Sequence, residues 1–532
     1  MSRLTLFKTT VLLAGLLLSG PSGVVAQSAN KTSGALPSLG DDSELAAAAE
    51  RRIGQRIAAS IFRDPDYIDD PVLADYLQSI WQPLMAASRA RGDITPELDE
   101  RFAWELFLIR DRSINAFALP GGYLGVHLGL ISAVSNRDEL AAVLGHELSH
   151  VTQRHISRLI SQQGKSTPWM VGAMILGALA ASKSPQAGAA LITGGQAAAL
   201  QSQLNFSRDM EREADRVGLN VMTEAGFEAR GVSSMFEKLQ QASRFDDNGS
   251  FPYLRSHPLS TERIAAVQAR LQLAATETAP ATPAKRNALA QALTLHGMMA
   301  ARAKVLTEPG VDALRAMARN AQTARSQRSG SGSGFAVDPG LGGAAASLYG
   351  GALAAAKLRD FSLADALISQ MTVIPLSDPD VRRTVSLLQL EVDLMAGRLP
   401  TNATNRDLSQ TAQRAELLLG CQALLAAGNP QAVINRLPTW VADHPGDSSA
   451  WQLLATAFGS QGQTVRAIRA DAEAQVARLD YPAALDRLKA AQNMLRNNPA
   501  TGDFMESSII DTRARQVESL VREQALQDKL DR

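Results

Sequence analysis

Gly145-His146-Glu147-Leu148-Ser149-His150 is the stretch on which the reading of this chain turns. Its pattern is H-E-x-x-H. Residues four apart share one face of a helix, so His146 and His150 can present two imidazoles to one metal ion. Glu147 projects beside that pair, where it can take a proton from a water at the metal. The bland alternative is an exposed helix carrying two incidental histidines, and the flanks argue against it. With only seven histidines in 532 residues, a chance match is rare. Asn136 and Glu139 have the spacing of a capping box. Leu140, Val143, Leu144, Leu148 and Val151 are apolar at helical spacing, which gives the helix a core-facing side. Histidines on such a helix are partly buried and need a partner.

The rest of the chain sets the frame. At 532 residues it is too long for one core, so several domains are expected. Lysine plus arginine and aspartate plus glutamate number 53 each, a balance that gives no support to nucleic-acid binding. Sparse aromatics and abundant alanine favour helices, and the expected class is mainly α with a small sheet. Residues 1–26 read as a secretory leader. Arg3 and Lys8 give a basic start, Val11 to Leu18 an apolar core too short for a stable membrane anchor, and Val24-Val25-Ala26 a small-residue cleavage site. Export to the periplasm is the expectation, with cleavage after Ala26. Cys421 is the only cysteine, so neither an intramolecular disulfide nor a lipid anchor behind the leader is expected.

Residues 27–42 read as a disordered leader, and 43–273 as the domain built around the motif. A helix is expected from Ser43 to Ile61, a second from Asp70 to Ala87, and a strand over Phe102–Ile109. Asn115 to Leu119 reads as a further strand, followed by a Pro120-Gly121-Gly122 turn and another short strand. Residues 169–200 are rich in glycine, alanine and methionine. They read as two apolar helices that cover the site, touch a membrane surface peripherally, or form a buried pair. Residues 274–287 have the composition of a linker. Beyond it, 288–532 reads as a helical repeat domain interrupted by a Ser-Gly loop at 326–344. Leu417 and Trp451 are 34 residues apart, and Trp451-x-x-Leu454-Ala455-x-x-Phe458 with Gly462, Ala467 and Ala474 fits the tetratricopeptide pattern.

A catalytic zinc keeps three protein ligands and one open position. The third ligand should come from a later element, and Glu211, on a charged helix over Phe206–Glu224, is the best candidate. Asp215 lies one turn after it on the same face, placed to accept a hydrogen bond from a ligating histidine. The competing reading is an ordinary charged helix face, since Arg212 and Glu213 sit there too.

His146-Glu147-x-x-His150, together with Glu211-x-x-x-Asp215, resembles the M48 (Ste24-like) zinc metallopeptidases. Asn115-Ala116-Phe117-Ala118-x-Pro120-Gly121-Gly122 is similar to that family's edge-strand segment, and His257-Pro258 followed by Arg263 to its downstream His-Pro…Arg motif. The resemblance covers residues 43–272. It implies an α+β zincin-type domain holding one zinc ion through His146, His150 and Glu211, with Glu147 as general base and Asp215 behind the ligands. It places His257 near the metal, as an added ligand of a resting state or a transition-state stabiliser, with Arg263 close by as part of the catalytic apparatus. On residue chemistry alone, His257 reads equally as a surface turn residue before proline. His127, His155, His296 and His444 match no ligand motif. An extended substrate is expected to pair with the strand at Asn115, Ala116, Phe117 and Ala118. Leader, catalytic domain and helical repeats together resemble exported proteases that clear unfolded or misassembled proteins, with the repeats meeting the outer-membrane protein assembly machinery. An assembly adaptor or chaperone with latched proteolysis is the alternative.

Overall fold

The computed structural model describes residues 46–162, 207–245, 252–274, 283–308, 310–323, 339–374, 378–399, 413–497 and 504–530. The expected leader (1–26), the polar stretch 27–42 and the apolar segment 169–200 lie outside the described residues. Helix starts follow the local chemistry. The Asp70 carboxylate accepts the Leu73 amide at the start of α2 (Pro71–Ala90), with Pro71 at the first turn. Ahead of it run α1 (Ala47–Arg63) and β1 (Tyr67–Ile68); behind it, α3 (Pro96–Arg101) leads into β2 (Glu105–Ile109).

β3 (Ala116–Leu119) and β4 (Tyr123–His127) complete a sheet of order β1-β2-β4-β3, in which β2 and β4 run parallel and the other pairs antiparallel. The turn between β3 and β4 needs two glycines. Gly121 and Gly122 both have left-handed φ, 75° and 85°, and a Cβ on Gly121 would lie 2.6 Å from the Arg51 Cα. β4 is buried at every position, as a central strand should be, whereas β3 lies at the edge. Then follow α4 (Leu128–Ala133), α5 (Arg137–Thr152), which carries the motif, and α6 (His155–Gln162). The Asn136 side chain caps α5 by accepting the Glu139 amide at 2.9 Å, while Glu139 reaches back to the amide of Ser135, one residue further than a standard capping box. The remaining helices of this half are α7 (Arg208–Glu224), α8 (Arg230–Phe245), α9 (Pro252–Ser256) and α10 (Thr261–Ala274).

Beyond residue 282 all described elements are helices: α11 (Pro283–Thr307), α12 (Val311–Thr323), α13 (Pro339–Lys357), α14 (Phe361–Val373), α15 (Pro379–Met395), α16 (Arg414–Ala426), α17 (Pro430–Asp443), α18 (Ser448–Ser460), α19 (Thr464–Ala477), α20 (Tyr481–Asn497) and α21 (Phe504–Leu530). Most neighbours in sequence pack against each other, and several are joined by turns of three or four residues. The described chain is thus mostly helical with one small sheet.

Two stretches that read as linker or loop are helical at their ends. α11 begins at Pro283, inside the expected linker, and α13 begins at Pro339, inside the expected Ser-Gly loop. Proline fits the first turn of a helix, and the glycines of α13 allow close packing rather than flexibility. Gly342, Ala346 and Gly350, spaced by four, face Thr294, Gly297 and Ala301 of α11; a Cβ on Gly350 would come within 3.0 Å of the Ala301 Cβ.

The two halves share a core. One cluster of buried side chains runs from Ala47 and Trp81 through Leu144 to Met298, Tyr349, Leu388 and Leu419, and Ser43–Arg532 forms one compact unit. Polar contacts reinforce the join at the start of α2. Arg302 binds Asp70 and Glu391, Arg383 binds Asp75, and Arg414 binds Asp69, all at 2.6–2.7 Å. His296 of α11, buried, bridges the Tyr76 hydroxyl and the Val134 carbonyl.

Candidate metal centre

α5 and α7 cross where neither has a side chain. A Cβ on Gly218 would lie 3.0 Å from the backbone of Gly145, so the helices meet backbone to backbone. Glu211, Asp215 and Gly218 follow each other at four- and three-residue spacing, one stripe of α7 turned toward α5. This close crossing brings the Glu211 and Asp215 carboxylates to the motif histidines.

Four buried residues converge. One ligand atom each from His146, His150, Glu211 and His257 lies within 4.8 Å of the others. His146 Nε2 is 3.0 Å from His150 Nε2, and Glu211 Oε1 is 2.9 Å from His257 Nδ1 and 3.4 Å from His150 Nε2. His146 Nδ1 is 3.0 Å from Asp215 Oδ1, so that nitrogen carries a proton and Nε2 is the one turned to the cluster. His150 presents its own Nε2 to the same point. Two imidazole nitrogens and a carboxylate that face one another at these distances require a cation between them. Without a metal, a proton serves. Burial alone would lower the His146 pKa, but hydrogen bonds to Asp215 and Glu211 push it up to about 10. Burial holds His150 well below its usual value. Burial opposes ionisation of Glu211, yet His257, His146 and His150 together keep its carboxyl far below the carboxylate range. The donor set, two or three imidazoles and one carboxylate, fits a divalent transition metal.

Glu147 is fully buried beside this cluster, and neither of its carboxylate oxygens has a close side-chain hydrogen bond among the described residues. Burial pushes its pKa up, while His257 and His146 pull it back. A buried carboxylate this weakly satisfied beside a cluster of imidazoles is a group whose affinity for a proton is raised. His257 completes the constellation. Its Nε2 is 3.4 Å from Glu147 Oε1, and its ring stacks on Tyr253, centroids 4.6 Å apart. Arg263 touches the carboxylates rather than the cluster's centre. It grips Asp215 through Nε and Nη2 at 2.6 and 2.7 Å, holds the Pro258 carbonyl, and forms an ion pair with Glu211, Nη1 lying 2.7 Å from Oε2.

The structure therefore brings together seven of the residues singled out in the sequence: His146, Glu147, His150, Glu211, Asp215, His257 and Arg263. Asn115, Ala116, Phe117 and Ala118 form the edge strand β3 and the residue before it. β3 packs on α5, and the Ala118 amide is close enough to Glu147 to favour its ionised form. The Phe117 ring lies over Gly125, where a Cβ would meet it at 2.1 Å.

Sequence reasoning set aside two residues that the structure draws in. His155 Nδ1 is 2.9 Å from His150 Nδ1, and His155 Nε2 is 3.0 Å from Glu213 Oε2. Burial lowers the His155 pKa to about 4, so its ring is neutral. The signal for this pair was indirect: a ligating histidine needs an acceptor on its second nitrogen, and the sequence reading supplied only Asp215 for two rings. His127 bonds Ser113 Oγ, and His444 stacks on Trp440; both are structural.

The model of peptidase family M48 matches residues 72–271. The chain is similar to the putative beta-barrel assembly-enhancing protease of Vibrio cholerae, 37% identical over 197 residues that span 37% of this chain and 39% of that protein. It is similar to the beta-barrel assembly-enhancing protease of Escherichia coli over 91% of this chain and 92% of that one, at 30% identity. The mitochondrial metalloendopeptidase OMA1 of Schizosaccharomyces pombe is 33% identical over 165 residues, 31% of this chain and 46% of that protein. The alignment to the Escherichia coli relative takes in the helical half as well as the four-residue cluster, and the chain belongs to peptidase family M48, whose members are metal-dependent proteases.

Proposed function

We propose that this protein is a periplasmic zinc endopeptidase that cleaves unfolded or misassembled outer-membrane proteins. The observation that carries the reading is the convergence of His146, His150, Glu211 and His257 beside the buried Glu147 carboxylate. The leader-like residues 1–26 support export, and the printed names of the relatives support the client class. Among the described residues no helix is long and apolar enough to cross a membrane; the segment 169–200 remains a candidate peripheral contact or cover.

His146, His150 and Glu211 would hold the zinc ion, which when bound would supply Lewis acidity toward a water and a peptide carbonyl. Glu147 takes the proton of the attacking water and returns it to the departing amine. Asp215 orients His146, and Arg263 holds Asp215 and Glu211 in place. An extended substrate pairs with β3 at Asn115–Ala118, so access depends on an unfolded or locally extended chain. The hairpins between residues 288 and 532 act as tetratricopeptide-like repeats that hold clients or the assembly machinery.

Glu147→Gln is expected to keep fold and zinc and to lose cleavage of an unfolded outer-membrane protein; cleavage by that variant sinks the mechanism. Glu211→Ala is expected to lower zinc content. The contact of His257 with both Glu211 and Glu147 favours a second, narrower reading, in which the site is latched at rest and the protein works mainly as an assembly adaptor. On that reading Glu147→Gln still supports outer-membrane protein assembly, and His257→Ala raises proteolysis.

A further inference from the structure

We propose that His155 is a positioning residue for the metal centre: it fixes the His150 ring in the tautomer that turns the Nε2 lone pair toward the metal. The inference rests on reading His150 as a metal ligand. His155 reaches that position through a local turn. Arg154, between α5 and α6, has a left-handed φ of 52° and is anchored by its guanidinium on the buried Glu50. The chain folds back there, and His155, the first residue of α6, lands with Nδ1 2.9 Å from His150 Nδ1.

The direction of that hydrogen bond follows from its far end. His155 Nε2 lies 3.0 Å from Glu213 Oε2, and Arg158 Nη2 lies 2.6 Å from the same oxygen. A carboxylate paired with arginine accepts only, so His155 Nε2 carries the ring's proton. His155 Nδ1 is then an acceptor, His150 Nδ1 donates to it, and His150 Nε2 is left as a lone pair. The opposite arrangement would set the His155 Nε2 lone pair against the Glu213 carboxylate.

The relay also answers a geometric need. α7 supplies Glu211 to the cluster and Asp215 to His146 from one face. Glu213, two residues from each, points to another side of the helix and does not share that face. His155 spans the offset, so that one short stretch of α7 orients both motif histidines, His146 directly and His150 through a second imidazole. Outer hydrogen bonds of this kind are worth about 10–100-fold in metal affinity.

The test uses the full chain and zinc affinity measured by chelator competition, with circular dichroism as the fold control. His155→Leu is expected to weaken zinc binding about 10–100-fold. The carbonyl of His155→Asn sits where Nδ1 sat and restores the acceptor for His150, so that variant is expected to recover most of the affinity. The amide nitrogen of His155→Gln sits where Nε2 sat and restores only the Glu213 bond, so it is expected to remain weak. If His155→Leu matches wild type, or if glutamine rescues and asparagine does not, His155 only fastens α6 to α7 and the proposal falls. Should the leucine variant fail to fold, the asparagine–glutamine comparison decides alone. Wild-type protein that binds no zinc, or a His150→Ala variant that binds as tightly as wild type, overturns the ligand reading and this inference with it.

Discussion

Arg302→Met tests whether the catalytic half and the helical half fold as one body. Arg302 is 2% exposed. Its Nε and Nη2 contact Asp70 at 2.7–3.0 Å, Nη1 and Nη2 contact Glu391 at 2.7 and 2.6 Å, and Nη1 meets the Tyr349 hydroxyl at 3.1 Å. Methionine fills much of the volume but leaves the buried Asp70 and the partly buried Glu391 carboxylates without their cation. Removing one partner of a buried ion pair costs about 3–5 kcal/mol. For the unit of about 490 residues spanning Ser43–Arg532, the entropy of unfolding is roughly 1 kcal/mol per degree, so Tm should fall by about 3–5 °C. The assay is thermal unfolding followed by circular dichroism at pH 7 and fixed zinc concentration. A companion, Asp70→Asn with Arg302→Met and Glu391→Gln, removes the stranded charges while the new amide oxygen still caps α2, and it should recover most of the loss. An unchanged Tm for Arg302→Met, a companion no better than the single variant, or two separate melting transitions in the wild type would refute the reasoning.

Three further outcomes follow from the same geometry. Gly218→Ala, which in an open helix would stabilise by about 1 kcal/mol, should instead weaken zinc binding, because the new Cβ meets the Gly145 backbone at 3.0 Å and displaces the Glu211 stripe; tighter or equal binding in a chelator titration contradicts this. Chelation should lower Tm: zinc at about 100 times its Kd adds about 2.7 kcal/mol to a fold that alone presents the site, or about 3 °C on the scale above. Asp69 opposes its burial through hydrogen bonds to Arg414 and Ser449, which hold its carboxyl below the ordinary 3.8. The folded state therefore binds the proton more weakly than the unfolded state. Its contribution is present above about pH 4 and is lost as pH falls through the folded value. The stability gap between wild type and Asp69→Asn should be full at pH 6 and shrink below pH 4, as read from urea unfolding at each pH.

The helix that carries the motif was legible because its information is local: four-residue spacing sets His146 and His150 on one face, and Asn136 starts the helix. The strand–Gly-Gly–strand unit around Gly121 and Gly122 was legible for the same reason. What local reading missed depends on contacts across the chain. Gly342 reads as part of the Ser-Gly loop until Thr294 is set beside it. Asp69, Asp70 and Asp75 carry no local sign of Arg414, Arg302 and Arg383, which pair with them from more than two hundred residues away. Composition placed a linker at 274–287, and it could not show that the helices beyond it share a core with those before it.

The site divides along the same line. Glu211 and Asp215 were legible as a pair because residues four apart share one helix face, and the structure sets both carboxylates against His146. His155 was set aside because five residues from His150 is no ligand spacing, and Glu213 because it read as part of a charged surface. The structure sets both beside the cluster all the same, since the left-handed turn at Arg154 reverses the chain and no propensity marks an arginine for that conformation. The omission was still recoverable by counting donors. On the proposed metal-binding reading His146 and His150 own two outer nitrogens, and each buried N–H needs an acceptor. Asp215 accounts for one. The second acceptor had to exist, and in a chain with seven histidines the one just past the motif helix was the place to look.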